Sequence, residues 1–186
     1  MAHSPSFDAT GFGKQLALGV FQNPMLRVFI AEEVSLLQQA GVPQLGYHEE
    51  RVIFAACAAA FSIRAYLGSN PLADSIWDGY ATFWREYGAS APDRHKAFQL
   101  LEKRLSGYGF AATLDLMPER KLTNAESISE LAKTFLNAIN EHSADPKAAE
   151  NLLLFIAQKF GIPLWEQQVS STGKMMKTAG LPVEER

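Results

Sequence analysis

The chain has 186 residues, of which 47% are hydrophobic and 20% are charged, and its net charge is -3. This composition supplies enough apolar material for one sizeable core and is too polar for a protein that lies in a bilayer. A negative net charge also disfavours a protein that binds the nucleic-acid backbone, because such proteins carry a basic face. We therefore expect a single globular domain that binds neither nucleic acid nor a membrane.

The two ends of the chain are rich in small and polar residues. Residues 1–13 are rich in Ser, Gly and Ala, which predicts a disordered tail. They lack the basic region and the apolar region of a secretory signal, so we expect a cytoplasmic protein. Residues 173–186 predict a second disordered tail. The helical domain is expected to span 14–172, and a sub-boundary is expected at 118–122, where a proline and three charged residues interrupt the apolar pattern.

The first predicted helix begins at Asn23 and Pro24, since an N-cap residue followed by proline favours a helix start, and it ends at Gly41. Plotted at about 100° per residue, its apolar positions fall on one face. Glu33 falls in the middle of that face, whereas the neighbouring Glu32 points towards solvent. The pattern predicts that the Glu33 carboxylate is buried.

The second predicted helix covers 51–67, where nearly every residue is apolar or small. This run is shorter than the about 20 apolar residues of a membrane span and has Arg51 and Arg64 near its ends, so a helix buried by other helices is favoured. Cys57, the single cysteine, lies among its alanines, and we expect it to be an unreactive buried thiol. Gly68 marks the end of the helix. The periodicity directs Arg64, but not Arg51, towards the interior.

The third predicted helix begins at Asn70 and Pro71 and carries an aromatic inner face. Faces of this kind are usually core. Tryptophan and tyrosine also bring polar atoms that need hydrogen-bond partners, which favours a partly exposed groove. The residues that could line such a groove are Trp77, Tyr80 and Trp84.

Three further helices are predicted to start near Pro92, at the Thr123 capping box and at Pro146, and a short one is predicted around 164–169. Strand signals are weak, because no Asn-Gly or Asp-Gly turn separates alternating runs. The predicted fold class is all-α, a multi-helix bundle of antiparallel helical hairpins with about six to seven helices. The spacing of the helices is too irregular for a repeat solenoid.

The predicted site combines Glu33 and Arg64, since a buried unpaired charge costs several kcal/mol and each of these groups needs a partner. One interpretation is a structural ion pair inside the bundle. The other is a ligand-binding pocket in which the two charges orient a ligand against Trp77, Tyr80 and Trp84.

Function is less constrained by the sequence than fold. No metal-ligand spacing, nucleophile motif or phosphate loop is present, so no catalytic residue, metal or cofactor is predicted. The favoured function is a non-enzymatic protein-binding module of the adaptor, chaperone-like or toxin-neutralising type, with a protein partner or a homodimer interface at Leu154 and Phe155. The alternatives are binding of a small amphipathic ligand in the bundle core and, third, an enzyme without a recognisable motif.

Overall fold

The structure is a computed structural model that describes residues 7–113, 125–143 and 146–183. Throughout these ranges the chain forms helices and turns and no β-strand, which confirms the predicted all-α class. None of the helices in the described ranges is long and apolar enough to cross a bilayer. The α-helices are α1 (Ala9–Val20), α2 (Ala31–Gln39), α3 (Gln44–Leu67), α4 (Pro71–Ala89), α5 (Pro92–Thr113), α6 (Ala125–Asn140), α7 (Pro146–Ile156) and α8 (Ile162–Thr178).

Helix α3 is the centre of the molecule, because α1, α4, α5, α6 and α8 all pack on it. Eight consecutive residues of this helix, 53–60, are buried, five of them alanines. Small side chains on every face let neighbouring helices approach closely, and Phe54 fills the space between them by stacking on Phe135 at 4.3 Å between ring centroids. Gly68 ends α3 with a φ of 69°, as the sequence predicts.

Helix α1 crosses α4 at very short range. A Cβ atom on Gly13 would overlap the backbone at Ile76, and one on Gly79 would overlap the backbone at Thr10. The predicted disordered tail 1–13 is therefore wrong for residues 9–13, in which glycine permits close packing of two helices. Asp8 caps this helix by accepting a hydrogen bond from the Gly11 N–H at 2.8 Å.

The segment predicted as one helix from Asn23 to Gly41 contains two elements. Asn23 caps a 3₁₀ turn over Pro24–Leu26 by accepting a hydrogen bond from the Met25 N–H at 3.0 Å. The chain is irregular after this turn, and α2 starts only at Ala31. Asn23 is thus confirmed as a cap, while the α-helix itself begins about two turns later, at Ala31.

Helices α7 and α8 form one continuous helical rod, because a π-helical turn over Ala157–Gly161 joins them. With this rod counted once, the described residues contain seven α-helical rods, within the predicted range; their arrangement as antiparallel hairpins stays a prediction. Gly161 lies inside this rod against the Phe135 ring, where a Cβ would come within 2.5 Å of Cδ1. The predicted tail from 173 is also wrong as far as Thr178, since Met176 is fully buried. The sub-boundary at 118–122 and the Thr123 capping box lie outside the described residues.

Candidate functional site

Glu33 is buried, as the sequence predicts, but its charged partner is Arg51. The Arg51 Nη1 atom lies 3.6 Å from Glu33 Oε1, and both side chains are only 3% exposed. The Tyr47 hydroxyl donates a hydrogen bond to the same carboxylate oxygen at 2.8 Å. Arg51 Nη2 donates to the Met25 carbonyl, and its guanidinium stacks over the Phe29 ring at 4.8 Å. These contacts link α2, α3 and the 3₁₀ turn, and they describe a structural ion pair.

Burial also changes the titration of Tyr47, whose hydroxyl contacts Glu33. The pKa of the Tyr47 phenol is raised well above its usual value, first by burial and then by the negative charge of Glu33. The phenol therefore stays protonated and keeps donating its hydrogen bond to the carboxylate.

Arg64 lies near the surface, which corrects its predicted role. Its Nη1 atom is 2.8 Å from Asp74 Oδ1, and the two side chains are 36% and 59% exposed. A long arginine side chain one turn from the end of a helix can reach water even when its Cα lies beside apolar neighbours. Glu33 and Arg64 therefore do not form a common site.

Of the predicted ligand-binding residues, Trp84 lines a cavity with a largely apolar interior. This α3–α5 cleft lies between α3, α4 and α5, and Phe21 at the end of α1 closes one side of it. Its volume is about 290 Å³. It is lined by Phe21, His48, Glu49, Val52, Ile53, Ala56, Trp84, Tyr87, Asp93, Arg94, Ala97, Phe98 and Leu101.

The aromatic walls of the α3–α5 cleft hold one another in place. The Phe21 ring lies 5.4 Å from both the Trp84 and the Tyr87 ring, and the Trp84 and Tyr87 rings meet edge to face at 5.8 Å. Offset and edge contacts of this kind stabilise aromatic pairs beyond their buried area. The cleft is therefore bounded on one side by a packed group of rings.

One nitrogen atom of the cleft residues, His48 Nδ1, has no hydrogen-bond partner in the described part of the chain. This atom and Trp84 Nε1 are both buried. The indole N–H of Trp84 interacts as a hydrogen-bond donor with the Tyr80 hydroxyl, and that hydroxyl donates to the Ala56 carbonyl at 2.6 Å. Buried polar atoms are normally paired, so the unpaired His48 nitrogen needs an explanation.

Titration of His48 is affected by its surroundings. Burial lowers the pKa of the imidazole, the nearby positive charge of Arg51 lowers it further, and Glu49 partly opposes both effects. His48 is therefore neutral near pH 7. A neutral imidazole can either donate or accept a hydrogen bond at Nδ1, depending on its tautomer.

A groove adjoins the cleft and shares Phe21, His48 and Val52 with it. It has a volume of about 410 Å³ and runs towards Phe29 and the exposed Arg27. A larger depression of about 680 Å³ lies between the start of α1 and the end of α8, but its lining includes no buried polar atom without a partner. The α3–α5 cleft is thus the better candidate for a specific site.

Trp77 and Tyr80 lie outside the cleft. Trp77 stacks on Tyr80 with 6.1 Å between centroids, and Tyr80 is only 1% exposed. Sequence reasoning missed His48, which was not considered as a binding residue, and Phe21, which precedes the first predicted helix. The one available signal was the clustering of aromatic residues on α4.

A buried ionic network lies close to the cleft but faces another part of the bundle. Arg104 donates through Nη2 and Nε to the fully buried carboxylate of Glu50 at 2.7 and 3.2 Å, and through Nη1 to Glu141 at 2.8 Å. His142 Nε2 lies 3.3 Å from the same Glu50. The hydrogen bonds from Arg104 lower the pKa of Glu141 to about 2. The network links α3 and α5 to the end of α6 and has a structural role.

The two predicted interface residues differ in exposure. Leu154 is half-buried and packs against the core, whereas Phe155 is 45% exposed. The Lys159 ammonium lies 5.3 Å from the Phe155 ring and 2.5 Å from the Glu32 carboxylate. Phe155 is therefore an exposed ring flanked by a charge pair.

Comparisons with known proteins do not assign this chain to a family. No protein-family model, curated protein or solved structure matches this chain. In the described residues no group of three or more His, Cys, Asp or Glu side chains is placed to hold a metal ion. In the described part of the chain, the fold and the site define a helical bundle with an aromatic-walled cleft between α3, α4 and α5.

Proposed function

We propose that this protein binds a small amphipathic ligand in the α3–α5 cleft and does no chemistry on it. The observation that carries the proposal is a cleft with aromatic walls and a buried apolar floor, whose charged residues Glu49, Asp93 and Arg94 are exposed. Binding sites for small molecules typically have this form, with mostly apolar walls and a few polar atoms that fix orientation.

The size of the cleft supports a small ligand more than a folded partner. Its volume of about 290 Å³ is at the lower end of the range for ligand sites, and the adjoining groove adds about 410 Å³. The lining residues include no serine, threonine, cysteine or lysine that could act as a nucleophile, which supports binding without catalysis. Cys57 is fully buried on α3, and burial raises the pKa of its thiol well above the usual value.

The proposal is tested by native mass spectrometry of the protein purified from its natural source, compared with the mass after denaturation. We expect a non-peptide adduct that disappears on denaturation. Ala97→Phe places a ring in the cleft and should abolish the adduct, whereas Ala89→Phe, on the exposed end of α4, should retain it. Circular dichroism of both variants controls for folding. A protein that carries no adduct, or an adduct that survives Ala97→Phe, contradicts the proposal.

Protein binding is the second candidate, and the exposure of Phe155 favours it. An aromatic ring exposed by 45% beside a charge pair resembles the aromatic anchors of interfaces, which sit within a charged rim. Phe155→Ala should then weaken association with a protein partner or a second copy of the chain, and analytical ultracentrifugation distinguishes these two cases. If Phe155→Ala changes neither self-association nor capture of a defined partner, the anchor role fails.

A further inference from the structure

The groove that adjoins the α3–α5 cleft combines an apolar lining with one charged side chain. We call it the Arg27 groove; it has a volume of about 410 Å³ and is lined by Phe21, Leu26, Arg27, Phe29, His48 and Val52. This lining contains no acidic residue, and His48 is neutral near pH 7 because burial lowers the pKa of its imidazole. The Arg27 groove therefore carries a net positive charge.

The Arg27 side chain has no partner within the described part of the chain. Arg51 and Arg104 each pair with a buried carboxylate, and Arg64 pairs with Asp74. Arg27 is exposed, and no described residue forms an ion pair or a hydrogen bond with its guanidinium. An arginine is always charged and offers five N–H donors in a planar fork. Arg27 is therefore free to bind an anion.

The surrounding charges favour an anion in the groove over an anion in the cleft. Glu49 and Asp93 line the cleft but not the groove, and they would repel an anion at the cleft's edge. Arg51 lies over the Phe29 ring at 4.8 Å, but Glu33 balances its charge. The attraction for an anion in the groove thus comes from Arg27.

The other lining residues suit an apolar tail. Leu26 is only 5% exposed, and Phe21, Phe29 and Val52 are half-buried, so part of each apolar side chain still meets water. Covering such surface with an apolar group is favourable. A cavity of about 150 Å³ holds one benzene ring, so a groove of about 410 Å³ has room for a chain of about ten carbon atoms.

We propose that the Arg27 groove binds a monocarboxylic acid with an apolar tail. The carboxylate accepts hydrogen bonds from the Arg27 guanidinium, whose planar fork matches two carboxylate oxygens. The tail lies against Phe21, Phe29 and Val52. This site goes beyond the proposed function, because Arg27 does not line the α3–α5 cleft and Ala97, whose substitution tests the cleft, does not line the groove.

The test titrates four probes, octanoate, 1-octanol, octylammonium and acetate, into the full chain near neutral pH by isothermal calorimetry. Octanoate should bind about twofold to fivefold more tightly than 1-octanol, the ratio that a solvent-exposed ion pair gives. Octylammonium should bind more weakly than 1-octanol because Arg27 repels it, and acetate should not bind because it has no tail to bury. Raising the NaCl concentration from about 0.05 M to about 0.5 M should remove the advantage of octanoate over 1-octanol.

Two arginine variants test the assigned cation. Arg27→Gln should reduce the affinity for octanoate to that for 1-octanol, and it should leave the affinity for 1-octanol unchanged. Arg85→Gln is the matched control, because Arg85 is exposed on α4 and lines neither the groove nor the cleft. Both arginines are exposed, so neither variant should unfold the protein, and circular dichroism checks this. Equal losses of octanoate affinity in the two variants would overturn the role of Arg27.

Ala97→Phe separates this inference from the proposed function. It fills the cleft and should leave octanoate binding unchanged, whether or not the protein carries an adduct in the cleft. Loss of octanoate binding in Ala97→Phe would place the acid in the cleft and overturn the groove site. Equal affinities for octanoate and 1-octanol, acetate binding as tight as octanoate binding, or no binding of octanoate would each overturn the ligand class and leave the test of the cleft unaffected.

Discussion

Arg51 and Arg64 lie on the same helix, and their environments predict very different costs of removal. Arg51→Met leaves the buried Glu33 carboxylate without its cation, and breaking such a pair costs about 3–5 kcal/mol. Arg64→Met, the matched control, removes a partly exposed ion pair and should cost about 0–1 kcal/mol. Urea unfolding followed by circular dichroism measures both free energies. Equal costs for the two variants would contradict the structural role of Arg51.

The sequence pattern correctly predicted that Glu33 is buried, but it predicted Arg64 instead of Arg51 as the arginine that points inward. Glu33 lies on a short amphipathic helix, where the 3.6-residue period distinguishes a buried from an exposed face. Helix α3 is buried almost all round at its middle. The spacing of its apolar residues therefore does not distinguish an inner face from an outer one, and it cannot predict where Arg51 or Arg64 points. Only the position of the neighbouring 3₁₀ turn, which supplies Met25 O to Arg51, decides the pairing.

At the scale of elements, the crossing of α1 and α4 depends on two glycines. Gly79→Ala would press a Cβ into the backbone of α1 at Thr10. Overpacking of this kind costs about 1–3 kcal/mol or more, because neither helix backbone can yield locally. Thermal unfolding should show a clear fall in Tm.

Gly107→Ala is the matched control for this prediction. Gly107 lies within α5, and the nearest atom to an added Cβ would be Thr134 Cγ2 at 3.8 Å, an ordinary contact. Alanine is the better helix former, so this variant should stabilise the protein by about 0.5–1 kcal/mol. If Gly79→Ala were also stabilising, the close crossing of α1 and α4 would be refuted.

The same glycines show why helix boundaries were predicted less well than helix identity. Gly68 ends a helix, but Gly13, Gly88 and Gly161 lie inside helices, where a neighbouring helix or ring occupies the space of a side chain. A sequence shows that glycine is present and does not show whether the backbone turns or a neighbour approaches. The capping residues Asn23 and Asn70 were more reliable, because their hydrogen bonds are made locally.

At the scale of the whole molecule, buried polar contacts tie together helices that are distant in sequence. Asn23 Nδ2 donates to Gln168 Oε1 at 2.8 Å across 145 residues, and the Glu50 network joins α3 to α5 and α6. The α3–α5 cleft is also a product of tertiary packing, since its residues come from four separate segments. Sequence periodicity predicted the aromatic face that contributes Trp84, and it could not predict that Phe21 and His48 would meet that face.

Acid should destabilise the protein in two pH windows that different groups control. The folded-state pKa of Glu141 is about 2, below its ordinary value of about 4.5, so the stability from its charge is present above pH 4.5 and is lost as the pH falls towards 2. The folded-state pKa of His48 is lowered from about 6.5, so its stability is present above that value and is lost as the pH falls below it. The upper window therefore belongs to His48 and the lower one to Glu141.

Glu141→Gln separates the two windows. Since the Glu141 side chain is 47% exposed and screened by solvent, the variant should lose about 1 kcal/mol near neutral pH. The difference from the unaltered protein should shrink as the pH falls from 4.5 towards 2, because the native carboxylate is then protonated as well. Urea unfolding at a series of pH values measures this difference. Glu130→Gln, which removes a surface pair within one helix, should give a small difference at every pH, and a Glu141→Gln difference that does not depend on pH would contradict the assignment.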